Sequence, residues 1–328
     1  MTVQKTLKIM PLQFAPNTGD TNEELITRDK LDVTIQLEVD AEAAKSLLPT
    51  WKGSDGKTYG YRPLPMGPTG KPILLVNYTQ ERDVDYMAGG GYNELEFYLS
   101  SEFVGENAWD FQGAEYNGAY GMFAVLLLPS DLIPLLLGRE IMGTPKHLAN
   151  VTDLILEKMF ADDEAKSGWF EVQNKNGGAF IAGCLRNIEA IPYEALDEPL
   201  PEHTPLPALE GWGQATNVEP GFKVMLWKHI PAADWARDLA DVSYNIAVTL
   251  GGEKGELSQP MAGDGNIVFP NLLDAHVHPN FSLAYEAIRN LVEQNSFVFP
   301  GNVLIRHYGN AYRAEDIHIT DGPRMPGA

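Results

Sequence analysis

Basic residues are scarce in this 328-residue chain: 24 Lys and Arg stand against 45 Asp and Glu, a formal net charge of −21. A surface this acidic repels phosphate backbones and anionic lipid, so neither nucleic-acid binding nor membrane association is expected. An anionic substrate would need local cations to hold it. Cysteine is nearly absent. With Cys184 alone there is no intrachain disulfide framework, which fits a reducing compartment. Long apolar runs are missing too. The longest stretch, Phe123 to Leu137, is broken by Pro129, Ser130, Asp131 and Pro134 and is too interrupted for a span of ~20 apolar residues. The opening MTVQKTLKIMPLQF carries no apolar signal-peptide core, so a cytoplasmic protein is the expectation. No internal repeat is detectable.

What is present reads as globular: 44% hydrophobic and 21% charged residues, with 31 Gly and 23 Pro set between short apolar runs. That composition favours many short strands over long helices. In Leu31–Val39 (LDVTIQLEV) apolar and polar residues alternate, which predicts a strand with one buried face. Asp40 then caps a short helix that stops before Pro49. Residues 72–79 read as a buried strand. In 92–100, Leu95, Phe97 and Leu99 face one way, with Glu94, Glu96 and Tyr98 facing the other. Residues 120–128 are apolar on both faces and predict a central strand. Ser130 is the expected cap of a short helix through Leu137. NKNGG between 169–173 and 179–185 is a hairpin signal, and 281–294 has helical periodicity. The five prolines of 191–211 make a stiff excursion, read as part of a single domain spanning 1–328. The sum is a mainly β chain with a few short helices, an antiparallel barrel or strongly curved sheet.

Gly138 to Lys146 reads GREIMGTPK and sits directly against the apolar run. This stretch resembles the signature of the acetoacetate decarboxylase family: Gly-Arg-Glu, a short spacer, then Pro-Lys. The strand and helix before it, the Tyr92-Asn93-Glu94 strand, and LDVTIQLEV followed by DAEAAKSLLP extend the likeness over residues 30 to 150. The resemblance implies an antiparallel, closed, cone-shaped β-barrel, a homo-oligomer, no cofactor, and a Schiff-base lyase acting on a small or medium keto acid, a decarboxylase above all. Aldolase, dehydratase or cyclase chemistry through the same imine, or a binding protein that has lost activity, are the alternatives.

In this reading Lys146 is the imine-forming nucleophile. A protonated imine accepts the electron pair that a keto acid releases with CO₂, as an enamine that is then protonated and hydrolysed. The amine must be uncharged to attack. Apolar burial or a nearby cation favours that form, and acetoacetate decarboxylase is itself the known case of a lysine so activated. Leu135, Leu136, Leu137, Ile141 and Met142 are the candidate dry wall. Glu94 matches the family's active-site glutamate, with a role in orientation or proton transfer, and Glu96 on the same face could substitute. His147 stands where a second lysine is usual and is a candidate tuner of the amine. Lys30, or Arg28 two residues earlier, falls where the family carries a substrate-binding arginine. Arg139 and Glu140 belong to the motif and are read as a structural pair.

A competing motif lies in 271–280, NLLDAHVHPN. Asp274, His276 and His278 resemble the first-strand metal ligands of amidohydrolases. Only 50 residues (328 − 278) follow His278, too few for the rest of an α/β barrel of about 250 residues. His307 and His318 are the remaining candidates to complete a ligand set. The expectation is therefore no metal, with a metal-dependent hydrolase as the lesser alternative.

Overall fold

The computed structural model describes residues 25–52, 58–104, 110–111, 114–115, 120–136, 138, 144–158, 166–174, 176–191, 222–231, 240–248, 253–256, 258–271, 273, 279–312 and 317–321. Arg139, Glu140, Leu137, Ile141 and Met142, the 191–211 excursion beyond Ile191, and Asp274, His276 and His278 lie outside the described residues.

The first half of the chain gives β1 (Leu25–Val39), α1 (Ala41–Lys45), β2 (Thr50–Lys52), β3 (Thr58–Pro63), β4 (Ile73–Val84), β5 (Gly90–Val104), β6 (Asp110–Phe111), β7 (Ala114–Glu115), β8 (Tyr120–Pro129), α2 (Leu132–Leu136), β9 (Asn150–Val151) and β10 (Ile155–Lys158). The second gives β11 (Lys166–Gln173), β12 (Ala179–Ala190), β13 (Phe222–Pro231), β14 (Ala240–Val248), β15 (Glu253–Glu256), β16 (Met261–Val268), α3 (Pro279–Asn295), β17 (Ser296–Phe297), β18 (Val303–Tyr312) and β19 (Ile317–Asp321). The chain is mainly β, as its composition implied.

Followed along its ladders, the large sheet runs β10–β11–β12–β16–β18–β1–β4–β5–β8–β13–β14–β19. Among these ladders only β8–β13 is parallel. Among the described residues the two ends of this path do not pair, so strand ladders alone do not form the expected closed barrel. A backbone link does cross from β8 to β11. Leu127 N donates to Pro145 O, His147 N to Leu127 O and Ala149 N to Pro129 O at 2.9–3.1 Å, and β9 then pairs with β11 through Val151 and Val172. Residues 145–151 thus bridge a gap that the named strands leave open, because their two edges find backbone partners on both sides.

Local chemistry sets the boundaries. Asp40 caps α1, its carboxylate accepting from Glu42 N and Ala43 N. In α2 the cap is Asp131, whose Oδ1 accepts from Ile133 N, and not Ser130. Ser130 Oγ accepts instead from Asn93 N, tying β5 to the end of β8. The β11–β12 hairpin turns through Asn174, with Gly177 at φ 80.

The apolar face of the sheet packs Val33, Ile35, Leu37, Val76, Leu95 and Phe97 into one cluster with Phe281, Tyr285, Ile288 and Leu291 of α3. Here the alternation of β1 misleads. Asp32, Thr34, Gln36 and Glu38, expected on an open face, are all buried as well. Both faces of β1, β4 and β5 are therefore largely buried, the second carrying the polar side chains beside Ile73, Leu75 and Tyr98.

Candidate active site

The register places the polar residues in cross-strand rows, because directly paired residues point to the same face. Asp32 of β1 pairs with Thr79 of β4, which pairs with Glu94 of β5. The next row is Thr34, Asn77, Glu96 and then Leu127 of β8. On the other side of Asp32 lie Lys30, Glu81 and Tyr92, with Tyr308 opposite Lys30 on β18.

Lys146 joins this face through a parallel bridge to Leu127. Its side chain crosses β8 to Glu94, with Nζ 2.8 Å from Oε1 and 2.9 Å from Oε2. Only Oε2 has hydrogen-bond geometry, so Oε1 keeps an unused lone pair. Lys146 is 9% exposed and Glu94 2%. Gly138 makes room for the lysine stem, since a Cβ there would stand 2.6 Å from Cε and 2.7 Å from Cδ. Of the apolar wall expected around Lys146, only Leu135 and Leu136 are among the described residues. Leu135 is buried nearby in sequence, but the amine itself meets a carboxylate.

The other predicted residues separate. Lys30 belongs to the polar face, 3.5 Å from Asp32 Oδ1 and 3.7 Å from Glu81 Oε1. Burial works against its charge, but Asp32, Tyr308 and Glu81 outweigh it and hold Lys30 well above the usual lysine range. Arg28 lies outside the cluster, with an exposed side chain 3.5 Å from Asp83. Glu96 is on the face, its Oε2 accepting from Asn77 Nδ2 at 2.9 Å, while Asn77 Oδ1 accepts from Thr34 Oγ1 at 3.2 Å. His147 turns its ring toward α3. Its ring lies 5.1 Å from that of Phe281 on α3, as expected when consecutive residues of an extended segment point to opposite faces. His307 sits 2.6 Å from Asp29, at one end of β1.

Sequence reasoning missed Asp32, Glu81, Asn77 and Tyr308. Tyr308 OH donates to Asp32 Oδ2, and Thr27 Oγ1 donates to Glu81 Oε2 at 3.0 Å. The available signal was the density of carboxyls at alternate positions of strands that become neighbours: four acids on one sheet face call for cations or protons among them.

Desolvation raises the carboxyls. Burial pushes Glu94 up, opposed by Lys146. It raises Asp32, opposed by Lys30 and the Tyr308 hydroxyl. Glu96 is pushed up to about 8, first by burial and then by the negative charge of Glu94. Strongly shifted groups gathered on one face make it the candidate site of this protein. Among the described residues no group of three or more His, Cys, Asp or Glu is disposed to hold a metal ion, and no helix is long and apolar enough to cross a membrane.

Three solved structures align over nearly the whole chain. A crystal structure of acetoacetate decarboxylase from Legionella pneumophila subsp. pneumophila str. Philadelphia 1 matches with a TM-score of 0.57 at 17% identity, covering 98% of this chain and 96% of that one. The fold is that of acetoacetate decarboxylase. A second acetoacetate decarboxylase structure gives a TM-score of 0.55 at 14% identity, covering 97% and 99%. An acetoacetate decarboxylase-like enzyme from Sphingomonas wittichii RW1 gives 0.53 at 14%, covering 92% and 94%. No protein-family model matches the sequence, and no curated protein matches it. At these identities the acetoacetate decarboxylase fold is what the comparison establishes.

Proposed function

We propose that this protein is an imine-forming lyase that acts on a small or medium keto acid through Lys146, with decarboxylation as its reaction. The observation that carries this is the buried Lys146–Glu94 pair, held on a sheet face that also carries the buried Asp32 and the half-buried Lys30, Glu81 and Glu96. Glu94, whose proton affinity burial has raised, accepts the ammonium proton across the 2.9 Å hydrogen bond and frees the amine to attack a carbonyl. The carbinolamine loses water to give a protonated imine, the electron sink into which a departing carboxylate leaves its pair. Hydrolysis returns the ketone and the free amine. Lys30 supplies the cation for the substrate carboxylate. The chemistry draws on no metal or organic cofactor, and the same reading carries the expectation of a cytoplasmic homo-oligomer.

One observation favours a second reading. Lys30 already faces Asp32 and Glu81, which leaves its charge largely compensated before any substrate arrives. An aldolase, dehydratase or cyclase working through the same imine would ask less of it.

Borohydride reduction in the presence of a keto-acid and ketone panel, followed by peptide mass spectrometry, tests the proposal. Label on Lys146 with CO₂ release from the same compound supports the decarboxylase. Label without CO₂ supports the second reading. No label on Lys146 from any member, with saturable ligand protection or stoichiometric zinc in its place, overturns both.

A further inference from the structure

We infer that Glu96, and not Glu94, is the acid–base group that moves the proton at the carbon next to the imine. The inference rests on the reading of Lys146 as the imine-forming residue. Glu94 is poorly placed for this step. Its Oε2 accepts from Nζ at 2.9 Å, its Oε1 stands 2.8 Å from the same nitrogen without hydrogen-bond geometry, and it is 2% exposed, so the whole carboxyl sits against the nitrogen and not beyond it. Glu96 stands one row along the same strand face, in the row of Leu127, to which Lys146 is bridged. It is half-buried, less so than Glu94.

Its orientation is fixed from one side only. Thr34 Oγ1 donates to Asn77 Oδ1, which leaves Asn77 Nδ2 as the donor to Glu96 Oε2. Among the described residues no hydrogen bond ties Oε1. One oxygen is therefore anchored and the other is available for a transferable proton. The charged groups that face Glu96 are Glu94 on its own strand, Lys146 from the bridging segment and Lys30 from β1, while β4 and β8 present Asn77 and Leu127 in its row. Burial and the Glu94 carboxylate together hold its proton to about pH 8, so at neutral pH it is chiefly the acid.

The step balances simply. The enamine carbon uses its C=C pair to take the Glu96 proton, the nitrogen lone pair becomes the C=N bond of the iminium, and Glu96 is left as the carboxylate. Water then releases the ketone from Lys146, and Glu96 is reprotonated from solvent. By microscopic reversibility, the carboxylate form removes an α-hydrogen from a ketone bound as the iminium.

The test runs this reverse direction. A methyl ketone that labels wild-type Lys146 under borohydride, acetone first, is incubated with the protein in deuterium oxide, and α-hydrogen exchange is followed by NMR. Dividing exchange by labelling expresses it per imine formed. In the wild type this ratio rises with pH, with a midpoint near 8. Glu96→Gln keeps the label but loses exchange by at least about 100-fold. Asn77→Ala, lacking the donor that favours the carboxylate, keeps the label and moves the midpoint upward. Exchange within a few-fold of wild type in Glu96→Gln would overturn the inference. So would loss of labelling together with exchange, or a midpoint unmoved in Asn77→Ala. Failure of the wild type to label sinks the proposed function instead, and the two outcomes are distinct.

Discussion

Lys146 and Glu94 meet across β8 although 52 residues separate them in the chain. Neither strand ladder nor helix carries the lysine to that point. It arrives on a segment whose backbone bonds to Leu127 and Pro129, next to the strand that holds the glutamate. The pair therefore exists only once the bridge between β8 and β11 has formed, which couples closure of the fold to assembly of the reactive group.

Glu94→Gln removes the acceptor for the amine proton and strands an ammonium in a buried place. Imine formation with a labelling ketone is expected to slow by about 100-fold or more. Urea unfolding should show a loss of about 3 to 5 kcal/mol near neutral pH, the usual cost of breaking a buried pair from one side. A labelling rate within threefold of wild type would remove Glu94 from the chemistry.

Gly138→Ala addresses position instead of charge. The added methyl would stand 2.5 Å from Thr144 Oγ1 and 2.6 Å from Lys146 Cε. The lysine stem is flexible, so the protein should still fold, with a stability change of about 1 kcal/mol. The amine, however, must shift, and displacement on that scale can cost on the order of 100-fold in rate. Near-native melting with a large fall in borohydride labelling is the expected combination. Unchanged labelling would show that Gly138 does not set the place of the amine.

Asn302 ties two strands together inside the fold. Its side chain donates to Gln36 O and Gly265 O at 2.9 Å and accepts from Gly265 N at 2.8 Å, joining β1 to β16 at a 2% exposed position. Asn302→Ala leaves those buried backbone groups unpaired and should cost about 3 kcal/mol in chemical denaturation. Asn302→Asp keeps the acceptor but loses the amide donor, and should recover little.

The strands were legible because their signal is local. Alternation in 92–100 predicts which of its residues face the core, and β5 follows it, with Leu95, Phe97 and Leu99 on the apolar side. Asp40 announces α1 by a hydrogen bond made within three residues. The nine-residue motif led to Lys146, the family resemblance to Glu94, and strand alternation from there to Glu96. What stayed hidden depends on contacts between distant segments. Alternation cannot distinguish a polar face turned to water from one covered by the rest of the fold, so Asp32 reads as a surface residue. Nor can adjacency in sequence show that His147, next to the lysine, lies against Phe281 on the opposite side of its segment. Arg28 and Lys30 look interchangeable in the sequence. Their two-residue spacing meets a register irregularity in β1 between Thr27 and Lys30, and only Lys30 enters the cluster.

The carboxyls of the polar face also predict how stability responds to pH. Glu96 titrates at about 8 in the folded protein against an ordinary carboxyl value near 4.5 when unfolded. Between those values the folded state holds a proton that the unfolded chain has released. By linkage, stability then falls as pH rises through this window and levels off above it, with a slope from this group of at most about 1.4 kcal/mol per pH unit. Asp32, also raised by burial, adds a term of the same sign at the acid end of the window. Glu96→Gln carries no proton to lose, so its unfolding free energy should vary less than that of wild type between pH 5 and pH 8. The two curves are expected to lie furthest apart at the alkaline end, where wild type must bury a carboxylate and the variant an amide. Urea titrations at unit pH intervals give both curves. If they run parallel, Glu96 is ionised alike in the folded and unfolded states, and the description of this face as a desolvated cluster fails at its best-defined member.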